Sequence, residues 1–256
     1  MINLVNTAES IFSNVRLKEY PSKTVLQISN RAIFKESGWE AHRNYDVPSK
    51  GKAVDPERSM ENSRARAKRS ILDIALCNQF DFFFTWTLDK SLIDRYDSAE
   101  VTKKVQTFLK NATYRKGFQY ICVPEFHEDG AIHFHGLCNL GEVEIKRADR
   151  DGKELTTNAG QPIYNMTSWK WGFSTCIPLN EDYNKVCSYI SKYVTKSDSK
   201  VLGKWYFSSR SLRKKPNIII LPCVDYEAFK QENPKAFTQN IYGNVSISIV
   251  ELEDMK

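Results

Sequence analysis

The segment Ala131-Ile-His-Phe-His-Gly-Leu137 sets two imidazoles two residues apart. On a β-strand, side chains alternate between faces, so His133 and His135 point the same way, roughly 6–7 Å apart, and can ligate one metal ion. Further along, Tyr189-Ile-Ser-Lys-Tyr-Val-Thr-Lys196 repeats tyrosine and lysine at helical spacing. At about 100° per residue, Lys192, Tyr193 and Lys196 fall within roughly 60° of Tyr189, which gathers two phenols and two ammonium groups on one stripe. A metal pair and a tyrosine-lysine helix together suggest phosphodiester chemistry.

A third metal ligand depends on the turn that precedes the histidines. If Glu128-Asp-Gly130 is a three-residue hairpin loop with Gly130 left-handed, His127 lies opposite Ala131 and Glu125 opposite His133. Glu125, His133 and His135 then share a face, with His127 as a reserve ligand. A two-residue Asp129-Gly130 turn instead puts Phe126 opposite His133 and removes Glu125 from the cluster. Imidazole ligands suit zinc, manganese or iron, whereas phosphate oxygens in a substrate favour magnesium or manganese. The bland alternative is a pair of structural histidines on a sheet face.

A phenol titrates near ~10, so attack by Tyr189 or Tyr193 needs a polarised phosphate or a nearby cation such as Lys192. Val186, Ile190 and Val194 fall on another side of the same helix and would anchor it to a sheet. An amphipathic helix with half-buried tyrosines and solvated lysines is the competing description.

These groups must be held by the elements around them. The sequence predicts a strand at Thr24 to Ser29, a helix from Pro56 with Arg64-Ala-Arg-Ala-Lys-Arg69 on its first half, and an aromatic strand from Asp81 to Leu88. A helix near Ala99 to Tyr114 follows, then strands at Phe118 to Val123 and Ala131 to His135. After a polar excursion from Gly141 to Gln161 come a strand at Gly172 to Ile177 and a helix at about Asp182 to Lys196. Short strands at Trp205 to Phe207 and Asn217 to Leu221 precede a tail with no clear pattern. Strands alternating with helices around a tight hairpin favour an α+β fold, a central antiparallel sheet with helices packed on one side. Residues 1–63 read as an N-terminal extension, 64–216 as the working domain and 217–256 as a C-terminal extension.

Composition narrows the class. Across 256 residues, 41% hydrophobic and 27% charged describe an ordinary globular protein. The longest apolar runs, such as Ile218 to Leu221, fall far short of the ~20 residues that span a bilayer, and no signal-peptide pattern opens the chain, so a cytoplasmic protein is expected. The six cysteines stand singly without a C-x-x-C pair and read as reduced, buried thiols. A net charge of +6 mildly favours an anionic partner. Lys196, Lys204, Arg210, Arg213, Lys214 and Lys215 are candidate phosphate contacts, and Trp171, within Trp169-Lys-Trp171, could stack on a base.

Phe82-Phe-Phe-Thr-Trp-Thr-Leu88, His133-Phe-His135 and Tyr189-x-x-Lys192-Tyr193, in that order, resemble the HUH endonuclease superfamily. The likeness is to rolling-circle replication initiators of single-stranded DNA phages and small plasmids, close to those of microviruses and filamentous phages. It covers Arg64 to Pro216, with weaker agreement at Val123-Pro-Glu-Phe-His127, Trp171-Gly-Phe173 and Ser208-Ser209 with the basic run beyond. Trp86 departs from the pattern, since a smaller apolar residue is expected between the threonines.

The resemblance implies a Rep nuclease fold and a divalent ion, Mg2+ or Mn2+, held by His133, His135 and Glu125. It implies attack by Tyr189 or Tyr193, a 5′-phosphotyrosine, a free 3′-hydroxyl that primes synthesis, and rejoining by the reverse chemistry. Its partners would be single-stranded or hairpin origin DNA with a host helicase and polymerase, in a bacterial cytoplasm. The chain contains no G-x-x-x-x-G-K-[ST], so no nucleotide cofactor is expected.

Two other functions compete. A His-x-His metal oxygenase wants Glu four or five residues after the second histidine, where Asn139 and Leu140 stand. A non-catalytic DNA-binding module would leave the histidines structural.

Overall fold

The computed structural model describes residues 12–35, 52–179, 183–194, 199–241 and 245–252. In chain order the elements begin with β1 (Phe12–Ser13), β2 (Val15–Glu19), β3 (Thr24–Ser29) and β4 (Phe34–Lys35). Helix α1 (Pro56–Cys77), β5 (Phe82–Leu88), α2 (Ser98–Lys116), β6 (Gln119–Phe126) and β7 (Ile132–Asn139) follow. Next come β8 (Ile145–Arg147), β9 (Asp149–Arg150), β10 (Lys153–Glu154), β11 (Tyr164–Met166), β12 (Gly172–Pro178), α3 (Tyr183–Tyr193) and β13 (Phe207–Ser208). The last are β14 (Asn217–Leu221), α4 (Tyr226–Glu232), β15 (Phe237–Ile241) and β16 (Val245–Leu252).

The chain divides into two compact units. One comprises residues 48–215, and the other joins residues 1–47 to 216–256. In the second unit, segments from the two ends of the chain build one five-stranded antiparallel sheet in the order β14-β2-β3-β16-β15. Val15, Leu26 and Ile28 pack there against Val224, Tyr226 and Phe229.

The larger unit is built on a seven-stranded antiparallel sheet, β13-β6-β7-β5-β12-β11-β8, which makes the fold α+β as expected. Helices α1 and α2 start where the sequence supplies caps. Asp55 accepts the Arg58 N–H at 2.9 Å ahead of Pro56, and Asp97 accepts the N–H groups of Ala99 and Glu100. Gly117, at φ 66°, closes α2 in the left-handed region.

Helices cover both faces of this sheet rather than one. Val101, Val105, Phe108, Leu109 and Ala112 of α2 pack on Phe84, Trp86, Phe134 and Cys138, each large side chain contributing roughly 1.5–3 kcal/mol on burial. On the other face, α3 and α1 lie side by side. Tyr183 ties them together, because its hydroxyl reaches the carbonyls of Ala75 and Asn78 and accepts the Phe80 N–H.

Trp86, the departure from the family pattern, is accounted for by this layering. It points away from the histidines into the α2 side, stacks on Trp169 at 4.5 Å and meets Phe108 edge-on. A smaller residue would leave a void in that core.

Elsewhere the observed elements differ from the expected ones in detail. The polar excursion holds short strands, β8 to β10, and the strand expected at Trp205 shrinks to Phe207–Ser208 because Trp205 turns inward and donates its indole N–H to Ser63. Among the described residues, no helix is long and apolar enough to cross a membrane.

Candidate active site

Register decides what the hairpin presents. Strand β6 pairs with β7 so that Phe126 faces Ile132 and Glu125 faces His133. The His127 N–H donates to Ala131 O at 2.8 Å, the Gly130 N–H to His127 O, and Gly130 sits at φ 81°. This is the longer, glycine-bulged loop, and it brings Glu125, His133 and His135 to one face. Asp129 steadies it by accepting from Arg95 at 2.7 Å and from the Ala131 N–H.

The neighbouring strand β5 adds a second row to the same face. Thr85 lies opposite His135 and Thr87 opposite His133. His135 is held at both ring nitrogens, Nδ1 3.2 Å from Thr85 Oγ1 and Nε2 2.8 Å from Glu125 Oε1. His127 and His133 stack with centroids 4.7 Å apart. Burial, with His127 and His135 close by, lowers the His133 pKa and favours the neutral imidazole that a metal needs.

Helix α3 lies over this row. The Tyr193 ring stacks on His135 at 4.0 Å, and Phe83 lies 5.9 Å from Tyr189 and 6.5 Å from Tyr193. The two phenol oxygens are 2.6 Å apart. Carboxylate, imidazoles and phenols therefore converge on one spot, although Glu125 and Tyr193 stand far apart in the sequence.

The tyrosines are not equivalent. Tyr189 is 48% exposed and Tyr193 only 5%. Burial first, then the hydrogen bond to Tyr189 and the nearby Glu125, holds the Tyr193 phenol above its ordinary pKa. The helical wheel put both on a working stripe, but Tyr193 is drawn under the helix by His135 and Phe83. Lys192 remains on the exposed side.

The donor set suits a divalent ion by type. Yet among the described residues no three His, Cys, Asp or Glu side chains are arranged as a metal cluster. Glu125 and His135 use facing atoms on each other, so an ion would take the place of the proton they share. Thr85 fits that exchange, since its hydroxyl can donate to Nδ1 or accept from it and so follows either tautomer.

The expected DNA contacts are more scattered. Lys204, Arg210, Arg213 and Lys215 are exposed. Lys214 donates to Ser208 Oγ at 2.9 Å and to Ser209 O, so its ammonium is held by the chain. Lys196 lies outside the described residues. Trp171 is on the α2 side of the sheet, edge-on to Phe108, and so away from the tyrosines. The motifs give Phe83 and Thr85 no role; the readable signal is the two-residue alternation of Phe83, Thr85 and Thr87, and the pairing sets Thr85 opposite His135 and Thr87 opposite His133.

No curated protein and no solved structure matches the chain. Residues 81–198 match a family model of replication-associated proteins, the ORF2 type. That stretch contains β5, the hairpin and α3, the elements that assemble the histidine-tyrosine face, and through it the chain is similar to Rep-like replication proteins.

Proposed function

We propose that this protein initiates replication by nicking and rejoining single-stranded origin DNA through a covalent phosphotyrosine. The observation that carries the reading is the Tyr193 ring on His135 with the two phenol oxygens 2.6 Å apart. A phosphate lying over this face would meet a metal-type donor set and a nucleophile together.

Tyr189 is the first nucleophile, because its hydroxyl is reachable by a strand while that of Tyr193 is covered. Its oxygen bonds to phosphorus, the P–O3′ bond breaks, the phenol proton is lost to solvent and the departing 3′-oxygen takes one up. Tyr193 can donate to the Tyr189 oxygen as negative charge builds there. Lys192 supplies positive charge near the phosphate. A 3′-hydroxyl later attacks the phosphotyrosine and restores a DNA linkage with no nucleotide cofactor, since the ester retains the energy of the original bond. Glu125, His133 and His135 would hold Mg2+ or Mn2+, which when bound polarises the phosphate. Host helicase and polymerase would act on the product.

Incubation with single-stranded origin oligonucleotides and Mn2+ tests the proposal. A protein-DNA adduct that survives denaturing gels is expected, sharply reduced in Tyr189→Phe, retained in part in Tyr193→Phe and absent from the double variant. An adduct undiminished in the double variant would reject tyrosine attack, and no adduct with any pooled sequence would favour a non-catalytic DNA-binding module.

A further inference from the structure

The face of the large sheet turned away from the tyrosines holds a cavity of about 450 Å³. It lies against the C-terminal half of α2, and Phe108 and Trp171 form its apolar wall. Its size falls in the range of small-ligand sites, roughly 300–1,000 Å³. Trp171 is half-buried, edge-on to Phe108 at 6.0 Å and to Trp169 at 5.1 Å. Arg115, Lys116 and Lys170 line the opening, as do Glu142 and Glu144.

Beside it, the outer stripe of α2 carries Lys103, Lys110 and Tyr114 at steps of seven and four residues, close to whole helical turns. All three are exposed, Tyr114 at 90%, and beyond Glu100 in the first turn the helix has no acidic residue. An open aromatic wall flanked by cations suits single-stranded nucleic acid, whose bases stack while its phosphates pair with lysine and arginine.

We propose that this cavity is a second contact for single-stranded DNA, distinct from the cleavage face. It takes one nucleobase against Trp171, the neighbouring phosphates meet Arg115 and Lys170, and the strand continues along α2 over Tyr114. The sheet separates this site from the phenols, so it holds the strand outside the scissile position. Glu142 and Glu144 can accept from an exocyclic amino group, which favours cytosine or adenine over thymine. The inference rests on the DNA-binding half of the function proposed above.

The test uses the 256-residue Tyr189→Phe, Tyr193→Phe chain, which is expected to bind without cleaving, and photocrosslinking to mixed-sequence oligonucleotides carrying halogenated pyrimidines. Crosslinks at Trp171 or Tyr114 are expected. Tyr114→Ala, at a position too exposed to disturb folding, should weaken oligonucleotide binding roughly five- to a hundredfold, and Lys170→Glu should weaken it further as salt is lowered. Crosslinks confined to the hairpin and α3, with both variants binding like the parent, would overturn the proposal. The readout needs no chemistry, so crosslinks here in a chain that never nicks would support the site while the nicking reading fails. Normal nicking with no effect of either variant would overturn the site alone.

Discussion

His135 shows most compactly how the site is specified. One ring touches a threonine, a glutamate and a tyrosine from three different elements. His133 beside it carries a testable consequence. Burial and the neighbouring imidazoles lower its pKa from the ordinary value of 6.5, so the unfolded chain takes up this proton at a higher pH than the folded one. The stability this group supplies is complete above about pH 6.5 and is lost as pH falls toward the lower folded value. With metal chelated, the urea midpoint should drop between about pH 7 and about pH 5, and drop less in His133→Asn. Equal drops in the two proteins would show that His133 does not carry the effect. A sequence names His133 and His135 as candidates, but it does not say that Nδ1 meets Thr85 and Nε2 meets Glu125.

At the scale of elements, the hairpin and its neighbour set the geometry. Strand alternation alone predicts that His133 and His135 share a face, and Glu128-Asp-Gly130 narrows the register to two choices. The observed pairing of Glu125 with His133 selects one. Gly136 lets the strands pack as they do, because a Cβ there would stand 2.2 Å from the Phe84 ring and 2.3 Å from the Ile121 carbonyl oxygen. The carbonyl belongs to the paired strand and cannot step aside. Gly136→Ala is therefore expected to destabilise the protein by roughly 1–3 kcal/mol and to disturb His135 next to it. Chemical denaturation checks the first effect and adduct yield the second. A variant of unchanged stability would mean that β6 and β7 shift freely.

For the whole molecule, the candidate phosphate contacts Lys204, Arg210, Arg213, Lys214 and Lys215 all fall in the larger unit. The basic run Arg213-Lys-Lys215 ends the larger unit, and segments from the two ends of the chain build the smaller one. Lys204, Arg210, Arg213 and Lys215 are exposed and can meet phosphates, whereas Lys214 is tied to Ser208 and Ser209. Replacing those four by Ala should reduce the slope of log affinity against log salt by up to about 3 for single-stranded DNA. Lys214→Ala should act mainly on local stability, since its ammonium serves the chain. Binding titrations from about 50 to about 200 mM salt separate the two effects, and an unchanged slope in the fourfold variant would remove these residues from the DNA interface.

By itself the sequence determined the α+β class, the positions of the main strands and helices, and the histidines and tyrosines as candidates. Those depend on period, caps and turns, which are local. Only the tertiary structure decided that helices cover both faces of the sheet, that Tyr193 is buried while Tyr189 is open, that Trp171 faces away from the site, and that the two chain ends share one sheet. A helical wheel fixes directions around one axis, and strand alternation fixes sides of one ribbon. Which neighbour fills each side is settled by packing between segments far apart in the chain, and that carries no local signature.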